Sequence, residues 1–141
     1  MVDQKDQLTI LKAVNLIKNL YTFKLILIGR GCNYELINQY IKTNNLSNNV
    51  KIFYTTNPFP YIRQADIFLL SSKYEGLPNV LLESVVLKKF VVSTNCPTGP
   101  KEILLNGKGG LLFKIGHYKE LSKKIIFFQK NRDICKKMVD T

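Results

Sequence analysis

Ile67-Phe68-Leu69-Leu70-Ser71-Ser72-Lys73-Tyr74-Glu75-Gly76-Leu77-Pro78-Asn79-Val80-Leu81-Leu82-Glu83, running on through Ser84 to Phe90-Val91-Val92-Ser93, is the stretch on which the fold turns. Four consecutive apolar residues at Ile67 to Leu70, with no polar alternation, read as a strand covered on both faces. Pro78 suits a first helical turn, where its missing N–H would have no partner in any case. Pro78 to Lys88 therefore reads as a crossover helix, and Phe90 to Ser93 as a second buried strand. Strand, helix and strand at this spacing make a parallel pair.

The same alternation extends in both directions. Upstream, Ile10, Ala13, Val14, Ile17 and Leu20 form a 3.6-residue stripe ahead of the apolar run Phe23-Lys24-Leu25-Ile26-Leu27-Ile28. Gly29-Arg30-Gly31 turns the chain, and Asn33 can cap a helix carrying Leu36, Ile37, Tyr40 and Ile41 that Asn44 to Asn49 breaks. Val50 to Phe53 is another strand, and Pro58 and Pro60 bracket a turn into a brief helix around Tyr61 to Ala65. Downstream, Leu111-Leu112-Phe113 is a last strand, and Leu121, Ile125, Phe128, Ile134 and Met138 mark one or two closing helices. The expected architecture is α/β, a parallel sheet with helices on both faces. Its first element is a helix where such domains open with a strand, so the sheet is expected to lack its leading central strand.

With 141 residues the chain has the size of one domain. Its 45% hydrophobic and 22% charged residues exclude disordered and low-complexity classes. Twenty-one Lys and Arg against ten Asp and Glu leave a net charge of +11. Eighteen of those cations are Lys and three are Arg (Arg30, Arg63, Arg132), beside 13 Asn, a bias of composition rather than an arginine-rich recognition surface. Cys32, Cys96 and Cys135 are odd in number and far apart, which supports neither a disulfide framework nor a zinc cage and makes a reducing cytosol the simplest setting. Met1 to Gln7 has no secretory apolar region, and no apolar run approaches the roughly 18 residues of a spanning helix.

Ligands of parallel α/β sheets bind beyond the carboxyl ends of the strands, where loops enter helices. The loop 71–79 stands there. Gly76 admits a close backbone approach, and the free N–H groups at the start of the Pro78 helix suit a phosphate or a sugar hydroxyl. Glu83, eight residues after Glu75, lies about two helical turns on, so both carboxylates can serve one side.

These residues carry a resemblance. Glu75-Gly76-Leu77-Pro78-Asn79-Val80-Leu81-Leu82-Glu83 resembles the E-x7-E segment of the retaining nucleotide-sugar glycosyltransferases usually called family four. Ser71-Ser72, the run from Val91 to Leu104, Gly109-Gly110-Leu111-Leu112, Gln4-Lys5-Asp6-Gln7-Leu8 and Asn57-Pro58-Phe59-Pro60-Tyr61 look like the same family in order. The match covers nearly the whole chain, residues 1–141, as the C-terminal, donor-binding half of the two-domain GT-B fold. The N-terminal acceptor domain is expected to be absent.

The resemblance implies transfer of a sugar from a nucleotide-diphosphate donor to a saccharide or lipid-linked acceptor, in surface polysaccharide or lipopolysaccharide assembly. It implies that Glu75 binds hydroxyls of the transferred sugar and Glu83 the ribose hydroxyls, both by charge-assisted bonds. It implies too that Lys5 offsets the charge of the departing diphosphate, the main protein contribution where no protein nucleophile is used. By the same resemblance Gly76, Leu77, Pro78 and Asn79 are expected to contact the donor at the helix mouth, and Gly29 and Thr98 to line the same cleft. The family's arginine, five positions before the lysine matched by Lys5, would fall before Met1. No metal or cofactor is expected; the partners are the donor, the acceptor and a separately encoded N-terminal domain, with peripheral contact to the cytoplasmic membrane and no specific nucleic acid.

Plainer readings stand beside these. A lone G-x-G at residues 29–31 is a strand-to-helix turn, His117 a surface or capping residue, and Cys96 a small packed side chain. Lys123-Lys124 and Lys136-Lys137 are the wet faces of helices, suited also to an anionic membrane surface. The alternative functions are a basic module holding nucleic acid or anionic lipid through its charge, and a truncated or inactive form of the transferase.

Overall fold

A computed structural model describes residues 6–28, 34–53, 55, 57–71, 86–95 and 110–140. Its elements are α1 (Gln7–Ile17), β1 (Leu25–Ile28), α2 (Tyr34–Thr43), β2 (Val50–Phe53), α3 (Phe59–Gln64), β3 (Ile67–Leu70), β4 (Phe90–Thr94), β5 (Leu111–Phe113), α4 (Tyr118–Lys130) and α5 (Arg132–Val139). Every strand pairing is parallel, with Leu25 opposite Val50, Ile67 opposite Phe90 and Val92 opposite Leu111. The fold is α/β with helices on both sides, as the alternating pattern predicts. The described strands form two sheets, β1-β2 and β3-β4-β5.

β4 shows why an unbroken apolar run marks a covered strand. All five of its residues are buried. Phe90 and Val92 point into the main core with Ile10, Ala13, Phe113, Leu121, Phe128 and Cys135, while Val91 packs on the opposite face with Phe68, Leu70 and Leu112. Period-two alternation thus sends apolar groups to both faces. Phe90 also stacks on Phe128 of α4 at 5.3 Å between ring centroids, within the range of favourable aromatic pairs.

α1 joins the two sheets. Its Ile10 and Ala13 enter the core over β4, while Leu11 enters a second core with Leu27, Ile37, Ile41 and Leu46. Leu25, the first residue of β1, packs against both. Asn45 ends α2 in a left-handed conformation, φ 57°. Leu46 N–H donates to the carbonyl of Ile41 at 2.9 Å and Asn45 N–H to that of Lys42 at 3.3 Å. This is a Schellman closure, sealed by the buried side chain of Leu46.

Several boundaries and faces differ from the sequence-based expectation. α3 begins at Phe59, not Tyr61, because Asn57 Oδ1 accepts from Phe59 N–H at 3.3 Å and the Pro58 carbonyl from Tyr61 and Ile62. Pro60 sits in that first turn, where no N–H is needed. Leu20 lies beyond the end of α1 and is 66% exposed. Leu36 is also exposed, one residue and so about 100° round from the buried Ile37. Both closing helices form, but the core residue of α5 is Cys135, with Met138 and Val139 beside it, and Ile134 is 51% exposed.

Candidate functional site

The carboxyl ends of the strands root the segments that the sequence marks as functional. β1 leads into residues 29–33, β3 through Ser71 into 72–85, and β4 through Asn95 into 96–109. Lys5, Gly29, Glu75, Gly76, Leu77, Pro78, Asn79, Glu83 and Thr98 all lie outside the described residues. So do the crossover helix expected from Pro78 onward, apart from its last turn at Val86, the Asn33 cap, Cys32 and Cys96.

The described residues supply the stems of that edge. Ser71, 1% exposed, donates its hydroxyl to the backbone carbonyl of Asp6 at 2.8 Å. Asp6 occupies the N-cap position of α1 in the left-handed region, φ 45° and ψ 48°. Its carboxylate Oδ2 accepts from the Thr9 hydroxyl at 2.6 Å, and its carbonyl from Thr9 N–H at 3.1 Å. The residue that follows Lys5 is thereby tied, across 65 positions of sequence, to the residue that opens the 72–85 segment. On the β4 side, Ser93 Oγ donates to the Thr94 carbonyl at 3.0 Å and Asn95 N–H to the Phe113 carbonyl at 2.8 Å, which holds the exit of β4 against β5. After β2, Thr55 Oγ1 accepts from Asn57 N–H at 3.2 Å, a short polar turn into α3.

Asp6 and Ser71 had no assigned role in the sequence reading, although both fall inside the family-like segments. An Asp just ahead of an apolar helical stripe is the available signal for a helix start. That its carbonyl would meet Ser71 depends on tertiary packing.

Elsewhere the described surface offers little. A hollow of about 300 Å³ between Leu111, Glu120, Lys123, Lys124 and Phe127 begins at the amino end of β5, away from the loop-bearing edge. His117 precedes α4 with its carbonyl accepting from Leu121 N–H, and its exposed side chain makes no capping bond. Burial pushes the Cys135 thiol above its ordinary pKa, so it stays protonated and poorly nucleophilic. Among the described residues, no three His, Cys, Asp or Glu side chains group as metal ligands, and no helix is long and apolar enough to cross a membrane.

Comparison with known proteins bears on the family and the fold. The family model described as "Glycosyl transferases group 1" matches residues 1–141. An uncharacterized glycosyltransferase of Methanocaldococcus jannaschii is 36% identical over 106 residues, which cover 74% of this chain and 26% of that protein. The Campylobacter jejuni enzyme named N-acetylgalactosamine-N,N'-diacetylbacillosaminyl-diphospho-undecaprenol 4-alpha-N-acetylgalactosaminyltransferase is 31% identical over 93 residues, 65% of this chain and 26% of its own length. The chain thus spans about a quarter of the length of these curated relatives. Among solved structures, a S. aureus TarM mutant in complex with Fondaparinux, alpha-GlcNAc-glycerol and UDP superposes with a TM-score of 0.91 at 24% identity, covering 99% of this chain and 29% of that one. At that identity the likeness speaks to the fold.

Proposed function

Because the chain belongs to the family of glycosyl transferases group 1, whose model matches it from residue 1 to residue 141, we propose that it is the donor-binding half of a retaining enzyme moving a sugar from a nucleotide diphosphate to a saccharide or lipid-linked acceptor. The observation that carries this reading to a site is the hydrogen bond from Ser71 Oγ to the Asp6 carbonyl. It joins the stem of the Glu75 loop to the neighbour of Lys5 at the carboxyl edge of a parallel sheet, where such folds hold nucleotides.

In this reading Lys5 supplies positive charge to the diphosphate as it departs, together with the backbone N–H groups around Gly76 to Asn79. Glu75 accepts from hydroxyls of the transferred sugar and Glu83 from the ribose, and Gly29 and Thr98 shape the cleft. The acceptor site belongs to a further domain, in the same polypeptide or a separately encoded one. Its place is the cytoplasmic face of the membrane, in assembly of a surface polysaccharide or lipopolysaccharide. The Campylobacter relative, whose named substrate is carried on diphospho-undecaprenol, supports the lipid-linked alternative for the acceptor. A purely electrostatic nucleic-acid or lipid module is not favoured, because the family points to group transfer.

Isothermal titration with UDP-, GDP- and ADP-sugars tests the donor site. One nucleotide class is expected to bind, and Glu83→Ala to weaken it by about 2 kcal/mol, roughly thirtyfold in Kd, for a lost charged hydrogen-bond pair. Absence of binding to this chain, together with an unchanged Kd for Glu83→Ala in a longer form that does bind, would overturn the assignment.

A further inference from the structure

Buried hydroxyls gather at one edge of the molecule. Thr9, Ser71, Ser93 and Thr94, four of the five buried polar residues among those described, stand at the carboxyl ends of β3 and β4 or in the first turn of α1 beside them. Leu70 is paired with Ser93, so Ser71 and Thr94 continue the two strands side by side. Burying a hydroxyl costs free energy that its hydrogen bonds must offset. The fifth, Ser122, lies on α4 and donates within its own helix, to the Lys119 carbonyl at 2.7 Å.

Three hydrogen bonds from this edge converge on Asp6. An N-cap residue ordinarily takes extended torsions and turns its side chain onto a backbone N–H of the first turn. Asp6 does neither: it is left-handed, φ 45° and ψ 48°, and makes no side-chain capping bond. Its carboxylate is held instead by the Thr9 hydroxyl at 2.6 Å. Its carbonyl receives Thr9 N–H at 3.1 Å and the Ser71 hydroxyl at 2.8 Å, which occupies both lone pairs. A left-handed backbone is unfavourable for a residue with a Cβ and persists where its surroundings over-determine it, most often at functional sites. Helix capping gives no reason for this arrangement.

We propose that Thr9, Asp6 and Ser71 form a clamp that positions Lys5, the residue assigned above to the diphosphate, relative to the loop that begins at Ser72. The torsions of Asp6 set the direction in which the chain leaves α1 on its amino side, and a return to the helical or extended region would redirect residue 5. Thr9 holds those torsions through the carboxylate and the carbonyl. Ser71 holds the same carbonyl from the loop side, so the segment that carries positive charge to the donor and the segment that carries its hydrogen-bonding groups keep one spacing. Stabilisation of a departing anion depends on groups fixed in place before the charge develops, and small displacements are costly. The three act through Lys5 and are positioning residues.

The clamp rests on the donor-site reading, and its test separates the two. The chain, or a longer polypeptide carrying it, is titrated with UDP, GDP and ADP and with the corresponding monophosphates. Ser71→Ala and Thr9→Val are each expected to weaken the diphosphate about fivefold, the worth of one hydrogen bond, and to leave the monophosphate unchanged. Thr9→Ser, which keeps the hydroxyl, is expected to bind as the parent does. Ser122→Ala loses a bond of the same kind on α4 and is expected to cost similar stability in urea with no effect on either nucleotide. In a Lys5→Met background the effect of Ser71→Ala on the diphosphate is expected to vanish. The clamp is overturned if its variants weaken both nucleotides alike, do no more than Ser122→Ala, or act undiminished beside Lys5→Met. Where Lys5→Met weakens the diphosphate and the clamp variants do not, the clamp falls and the donor-site reading stands; where Lys5→Met changes nothing, or no nucleotide binds, both fall.

Discussion

At the scale of single residues, Ser71 and Cys135 make opposite kinds of contribution. The Ser71 hydroxyl, buried and bonded to the Asp6 carbonyl, ties two distant parts of the candidate site. Ser71→Ala removes one net hydrogen bond while leaving Asp6 its contact with Thr9 N–H, so the expected cost is about 1 kcal/mol by urea denaturation. A loss below a few tenths would mean that the bond does not hold the two segments. Cys135 is fully buried, and burial raises its thiol pKa above the ordinary 9.0. The folded state therefore holds its proton at pH values where the unfolded thiol has lost it, and stability falls as pH rises above about 9. The expected result for Cys135→Ala is a shallower alkaline decline than that of the parent chain; equal slopes would show that the thiol is not the group responsible. The sequence excluded a disulfide framework for this cysteine but pointed to Ile134 and Met138 as the core marks of α5. Met138 does pack against that core, but Cys135 takes the fully buried place and its neighbour Ile134, about 100° round the helix, faces out.

At the scale of elements, α1 has the largest structural role, since the two sheets share it. Leu11 is 0% exposed in one core while Ile10 and Ala13 fill the other. Leu11→Ala is expected to destabilise by 2–5 kcal/mol, the range for a buried leucine, and to loosen β1 and α2 first. Calorimetry with hydrogen exchange would show it, and a loss under 1 kcal/mol would mean that α1 is not the bridge described. The periodicity of α1 was legible in Ile10, Ala13, Val14 and Ile17. Its end was not, because Leu20 continues the stripe in sequence although the helix stops at Ile17. The close of α2 was legible as a break at Asn44 to Asn49, while its mechanism, Asn45 left-handed and Leu46 turned into the core, appears only with the backbone in place.

At the scale of the whole molecule, a net charge of +11, carried mostly by lysine, is set on a parallel α/β fold of this family. The matched segment spans about a quarter of the length of the curated relatives. The sequence by itself determined the α/β class, the parallel direction of the strands and the family, because these are carried by local period, turn chemistry and a contiguous nine-residue motif. Only the tertiary structure decided that the described strands form two sheets that share α1, that Asp6 and Ser71 meet, and that Cys135 rather than Ile134 is covered. Those outcomes depend on which surfaces come together across tens of residues, and burial and backbone pairing at such distances have no signature in the local pattern.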